Sequence, residues 1–180
     1  MMIKRFLLIG FMGAGKTYFG KRLSYLLNLP LVDTDHEIEL HENMKIPEIF
    51  MLQGEDYFRQ QEYGTLLHFI SRNNLVISCG GGLTENPINR TLIKNSLSTV
   101  IFLDPEWEVI WQRIRFSERP LIKEKSEEDV RELWHNRHSA YSECATIVLK
   151  SQQVIDYTIL QLINSRDVSV LLNLLSHKPC

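Results

Sequence analysis

Cysteine is scarce in this chain: Cys79, Cys144 and Cys180 are odd in number, far apart and in no C-x-x-C pair. That excludes a disulfide framework and a zinc knuckle, and it makes the reducing cytoplasm the expected location. Net charge is also nearly missing, at −2, and the lysines and arginines gather into no basic stripe, so nucleic acid is not an expected partner. No apolar run approaches the roughly 18 residues of a membrane span, so a membrane is not expected either. The N-terminal MMIKRFLLIGFMGAG imitates a secretory signal, but Gly10, Gly13 and Gly15 interrupt its apolar part. HEIELH, from His36 to His41, has Leu40 where the metalloprotease pattern H-E-x-x-H needs its second histidine. Repeats and low-complexity segments are absent. With 44% hydrophobic and 23% charged residues among 180, the chain suits one soluble domain with a real core.

Glycine, only nine residues in all, is concentrated in two places. The first is GFMGAGKT, Gly10 to Thr17, a P-loop that chance would place in about one chain in a hundred. Its context fits: IKRFLLIG before it reads as a buried strand. After it, Phe19, Leu23, Leu26 and Leu27 recur at helical spacing. Backbone N–H groups of Gly13, Ala14, Gly15 and Lys16 would cradle the phosphates of ATP at the helix N-terminus. The Lys16 ammonium would reach the β and γ phosphates, and the Thr17 hydroxyl would hold Mg²⁺.

Further short apolar runs at 29–33, 75–79, 99–104 and 146–149 join the first, at 3–9, as strands separated by helical patterns. The expected fold is therefore α/β: a five-stranded parallel sheet in a three-layer α/β/α sandwich of the P-loop nucleotide-kinase type. In such sheets ligands collect beyond the carboxyl ends of the strands.

After the second strand comes DTDHEIE, in which Thr34 and Glu37 fit a capping box. The box does not account for Asp33 and Asp35. Beside a phosphate site those carboxylates would organise Mg²⁺ through water and accept a proton from an attacking hydroxyl. After the third strand comes the second glycine cluster, Gly80 to Gly82. One glycine would serve a turn with positive φ; three leave bare main chain that a ligand can touch. Arg59 and Glu62 stand at i and i+3 on an expected helix, where a surface ion pair is worth well under about 1 kcal/mol. Arg119, in SERPLI, falls in a polar segment at 116–125 that reads as a lid, and Arg137 lies near the end of another helix.

Together GFMGAGKT, DTD, GEDYFRQQE, GGG, RPL and the Arg137-x-x-x-Tyr141 pattern resemble, in order and spacing, the shikimate kinases, over residues 3–163. The resemblance implies transfer of the γ-phosphoryl group of ATP to the 3-hydroxyl of shikimate, with Mg²⁺. It also implies roles: Asp35 on the substrate hydroxyls, Arg59 and Arg137 on its carboxylate, and Gly81 presenting its backbone N–H. Lys16 and Arg119 would neutralise the transferring phosphoryl group. Arg113, with Arg115 close by, would stack on adenine. Guanidinium forks and short acceptors are the residue types such a hydroxylated ring acid requires. Other readings on the same residues are a gluconate kinase-like enzyme and an inactive nucleotide-binding module. The kinase domain is expected over 1–165, acting as a monomer. A helical tail follows over 166–180, with Val168, Leu171, Leu172 and Leu175 packing on the domain.

Overall fold

The computed structural model describes residues 5–117, 122, 125–150 and 157. The chain opens with β1 (Arg5–Ile9), α1 (Lys16–Leu27), β2 (Leu31–Asp33), α2 (Thr34–Glu42), α3 (Ile46–Gln53) and α4 (Glu55–Ile70). It continues with β3 (Leu75–Ser78), a 3₁₀ turn (Leu83–Glu85), α5 (Pro87–Asn95), β4 (Thr99–Leu103), α6 (Trp107–Ile114), α7 (Glu127–Cys144) and β5 (Ile147–Leu149). The five strands form one sheet in the order β2-β3-β1-β4-β5, and every pairing is parallel.

The near-continuous apolar runs of β1, β3 and β4 follow from burial on both faces of the sheet. Side chains alternate between two cores. Leu7, Ile9, Ile77, Val100 and Phe102 join Leu66 of α4, Ile93 of α5, Ile110 of α6 and Val130 of α7 on one face. Phe6, Leu8, Val76, Ile101 and Leu103 pack against Phe19 and Leu23 of α1 on the other. A third, smaller cluster of Ile38, Ile49 and Phe58 holds α2, α3 and α4 together as a helical unit beside the sheet. This is the expected three-layer α/β/α arrangement. Strand ends differ from the sequence reading by a residue or two, most at β2, which begins at Leu31 rather than at residue 29.

The register fixes where chemistry can occur. Leu8 lies beside Ser78, and Asp33 also lies beside Ser78. The segments leaving β1, β3 and β2 therefore emerge side by side: the P-loop, the glycine trio, and the acidic start of α2. Among the described residues, no helix is long and apolar enough to cross a membrane.

Candidate active site

At the end of β1 the chain turns through the P-loop and enters α1 from Gly15, whose φ of 99° lies in the left-handed region that favours glycine. Gly15 has no side chain with which to cap the helix, and the first turn of α1 holds no acidic residue. The positive end of the α1 dipole therefore meets no protein carboxylate in its first turn and suits an anion. Lys16 folds back over the loop, its Nζ donating to the carbonyls of Gly10 (2.8 Å) and Phe11 (3.0 Å). From α6, Arg113 Nη1 donates to the Gly13 carbonyl at 2.9 Å, so this guanidinium lies against the loop. Arg115, its rival in the sequence, instead stacks over the Phe116 ring, 4.8 Å from its centre. Arg119 lies outside the described residues, as do most of the expected lid and the tail over 166–180.

The start of α2 differs from the capping box read in the sequence. The residue that caps the helix is Asp33, whose Oδ1 accepts from the Asp35 N–H (3.2 Å) and the His36 N–H (3.5 Å). Thr34 is fully buried, and its hydroxyl accepts from the Gly80 N–H at 2.8 Å. That bond ties the start of α2 to the glycine trio.

None of the three glycines in the trio has a φ in the left-handed region, so turn geometry is not what requires them. Close approach is. A Cβ on Gly80 would stand 2.3 Å from Asp35 Oδ1, and one on Gly82 would stand 2.5 Å from Arg59 Nη1. A Cβ on Gly81 would press on the P-loop backbone, 3.3 Å from Met12 N. The outer glycines therefore make room for two of the side chains expected to hold substrate, and the middle one lets the trio lie against the P-loop.

Arg59 and Glu62 do not form the weak surface pair that their spacing alone suggests. Glu62 is 1% exposed, and its Oε2 accepts from Arg59 Nη1 at 2.6 Å. Arg59 is further held by Glu55 at 2.8 Å, through Nη2. Burial pushes the Glu62 carboxyl up to about 7, against the pull of Arg59 and with a push from the Asp35 carboxylate. Across the cleft Arg137 of α7 is 4% exposed, with its guanidinium over the Phe11 ring. Tyr141, one turn further on, donates its hydroxyl to the Gly81 carbonyl, and burial pushes that phenol above its ordinary range.

One cleft of about 1070 Å³ is lined by Lys16, Thr17, Asp33, Asp35, Arg59 and Arg137 together with Phe50 and Phe58. Gly13, Gly15, Gly81 and Arg113 line it too; Ala14 is buried beneath. The sequence-derived candidates within the described residues therefore meet in one place. Sequence reasoning missed Glu85, which pairs with both Arg59 and Arg137, and the tie made by Thr34. The one signal for Glu85 was a carboxylate three residues after the trio.

Comparison with known proteins gives a consistent result. A family model described as shikimate kinase matches residues 12–166. Shikimate kinase of Aquifex aeolicus is 40% identical over 150 residues, covering 83% of this chain and 88% of that protein. The bifunctional shikimate kinase/3-dehydroquinate synthase of Thermotoga maritima is 34% identical over 93% of this chain, which spans only 34% of that longer protein. The solved shikimate kinase from Acinetobacter baumannii in complex with shikimate superposes with a TM-score of 0.82 at 36% identity, over 93% of this chain and 96% of that one.

Proposed function

The chain belongs to the shikimate kinase family and is an ATP-dependent kinase that phosphorylates shikimate, and we propose that it does so with the residues gathered in this cleft. The observation that carries the assignment of roles is a single cavity lined both by the start of α1 with Lys16 and by two arginines with Asp35. A polyphosphate fits the first set of donors. A hydroxylated carboxylate fits the second.

In the proposed mechanism the N–H groups of residues 13 and 15–17 and the Lys16 ammonium grip the phosphates, and Arg113 closes the loop from α6, while the Ala14 N–H braces the loop on the Phe11 carbonyl. Asp35 accepts a hydrogen bond from the attacking 3-hydroxyl and orients it in line with the γ-phosphoryl group. Arg59 and Arg137 hold the substrate carboxylate, with the Gly81 backbone alongside. Catalysis is then mostly positioning and neutralisation of charge, as phosphoryl transfer through a loose transition state requires. Little prior deprotonation by Asp35 is needed.

The Thr17 hydroxyl and the Asp33 carboxylate line the cleft beside the P-loop, and both are hard oxygen donors of the kind Mg²⁺ accepts. Asp33 keeps Oδ2 and further lone pairs beyond its capping bonds. Thr17 would bind the ion directly and Asp33 through water, and the ion would supply neutralisation of the β and γ phosphate charge. The role of Arg119 at the γ-phosphate is proposed from the sequence alone, as are a monomeric state and a cytoplasmic location.

The test is a panel of acceptors with coupled detection of ADP. Turnover with shikimate and none with gluconate is expected. Turnover with gluconate in place of shikimate would refute the assignment of the acceptor end, and tight binding of both substrates with no turnover would point to an inactive nucleotide-binding module.

A further inference from the structure

Glu85 ends the 3₁₀ turn that follows the glycine trio, and its main chain is fixed from two sides. Its N–H donates to the Gly82 carbonyl at 2.9 Å, and its own carbonyl accepts from Arg90 Nη1 at 2.9 Å. From this anchored position the side chain grips one edge of Arg137, with Oε1 to Nε at 2.6 Å and Oε2 to Nη2 at 2.8 Å. Oε2 also reaches Arg59 Nη2 at 3.3 Å. One carboxylate therefore joins a guanidinium on α4 to one on α7.

The side of approach matters. Glu85 lines a separate cavity of about 270 Å³, with Arg90 and Glu143, and is not part of the wall of the main cleft. Arg137 lines both. The carboxylate thus takes the Nε and Nη2 edge from behind. Arg137 Nη1 is buried and meets no acceptor among the described residues in hydrogen-bond geometry, while the guanidinium lies near the Tyr141 hydroxyl. A buried guanidinium gripped along one edge keeps a fixed direction.

We propose that Glu85 is a positioning residue for the acceptor carboxylate: it locks Arg59 and Arg137 into one two-pronged receptor. The proposal rests on the reading of those arginines as the carboxylate site. Without the lock, Arg137 loses the carboxylate that grips it and its link to Arg59, which Glu55 and Glu62 still hold, and the cost of orienting Arg137 falls on binding. Phosphoryl transfer, once the acceptor is seated, does not depend on Glu85.

The experiment compares wild type, E85Q and E85D by steady-state kinetics, and by calorimetric titration with shikimate and with its methyl ester. E85Q is expected to raise the KM and Kd for shikimate about tenfold, the scale of one long side chain left unfixed. The same variant should leave kcat nearly unchanged and should leave binding of the ester and of a nonhydrolysable ATP analogue as in wild type. E85D keeps the charge but loses reach to Arg59, so it should raise KM by a smaller factor; it carries the test should E85Q fail to fold. A shikimate Kd equal to or below wild type in either variant overturns the proposal, as does an equal loss for acid and ester. If wild type itself binds the ester as well as the acid, the arginines are not the carboxylate site, and that reading fails first.

Discussion

The two ends of the cleft meet anions in opposite ways. At the phosphate end α1 begins on Gly15 with no side-chain cap and no acidic residue in its first turn, so no protein carboxylate meets the positive end of its dipole. At the acceptor end the donors are already engaged, Arg59 by Glu55, Glu62 and Glu85, and Arg137 by Glu85. The physical reason lies in what holds each donor in place. Backbone N–H groups at a helix terminus are aimed by the helix itself and need no partner to keep their direction. A guanidinium at the end of a long chain keeps a direction only if something grips it, and protein carboxylates supply that grip here. An anion site can thus be prepared by withholding partners or by supplying them.

Breaking the phosphate end should have the largest effect. Lys16→Ala is expected to lower kcat by about 10² to 10³ fold, the usual cost of removing preorganised charge from a transition state. Asp35→Asn, between the two ends, should fall in the same range. Shikimate-dependent ADP release checks both, and near-normal turnover in either variant would remove that residue from the site.

At the acceptor end the losses should be smaller and should appear in binding. Arg137→Lys keeps the charge but not the fork, and roughly 1.5 to 3 kcal/mol of shikimate affinity should be lost, as for a hydrogen bond between charged groups. Gly82→Ala would put a Cβ 2.5 Å from Arg59 Nη1, the far end of a flexible chain. That guanidinium can move only by disturbing its pairs with Glu62 and Glu55, so calorimetry should find shikimate affinity reduced and the melting temperature lowered.

The smallest effect sharpens the comparison through pH. Burial holds the Glu62 carboxyl at about 7 rather than at 4.5, its ordinary value. Between those two values the folded protein keeps a proton that the unfolded chain has lost, so this group's contribution to stability falls as pH rises through that window and is level above it. Glu62→Gln should flatten that part of the melting temperature curve. No carboxylate is placed in this way in the first turn of α1, and Thr17→Val should leave the curve's shape between pH 4.5 and 7 unchanged.

The phosphate end was the more legible in the sequence, for the same reason that it needs no partners. A P-loop is a main-chain device, and its glycines, its lysine and the apolar period of α1 lie within about twenty consecutive residues. The central strands β1, β3 and β4 were legible because burial on both faces of a parallel sheet leaves apolar runs. At the acceptor end the residue types were legible and their partners were not. Glu85 and Arg137 are 52 positions apart, and Thr34 and Gly80 are 46 apart, so only the fold brings them together. The spacing of Arg59 and Glu62 was plain, but not the burial that makes their pair more than a surface contact. Likewise the trio could be read as glycines in need of a reason; the reason, room for Asp35 and Arg59, lies in packing.

The division of the cleft into a phosphate end and a carboxylate end is tested most directly by a crossed titration. Lys16→Ala and Arg137→Lys would each be titrated by calorimetry with a nonhydrolysable ATP analogue and, separately, with shikimate. The Lys16→Ala protein should bind the nucleotide at least about tenfold more weakly and shikimate as wild type does, since one charge-assisted contact to phosphate is lost. Arg137→Lys should show the reverse, weakened for shikimate and unchanged for the nucleotide. If each variant weakened both ligands alike, or if the losses fell on the opposite ligands, the two ends would not be the separate anion sites described.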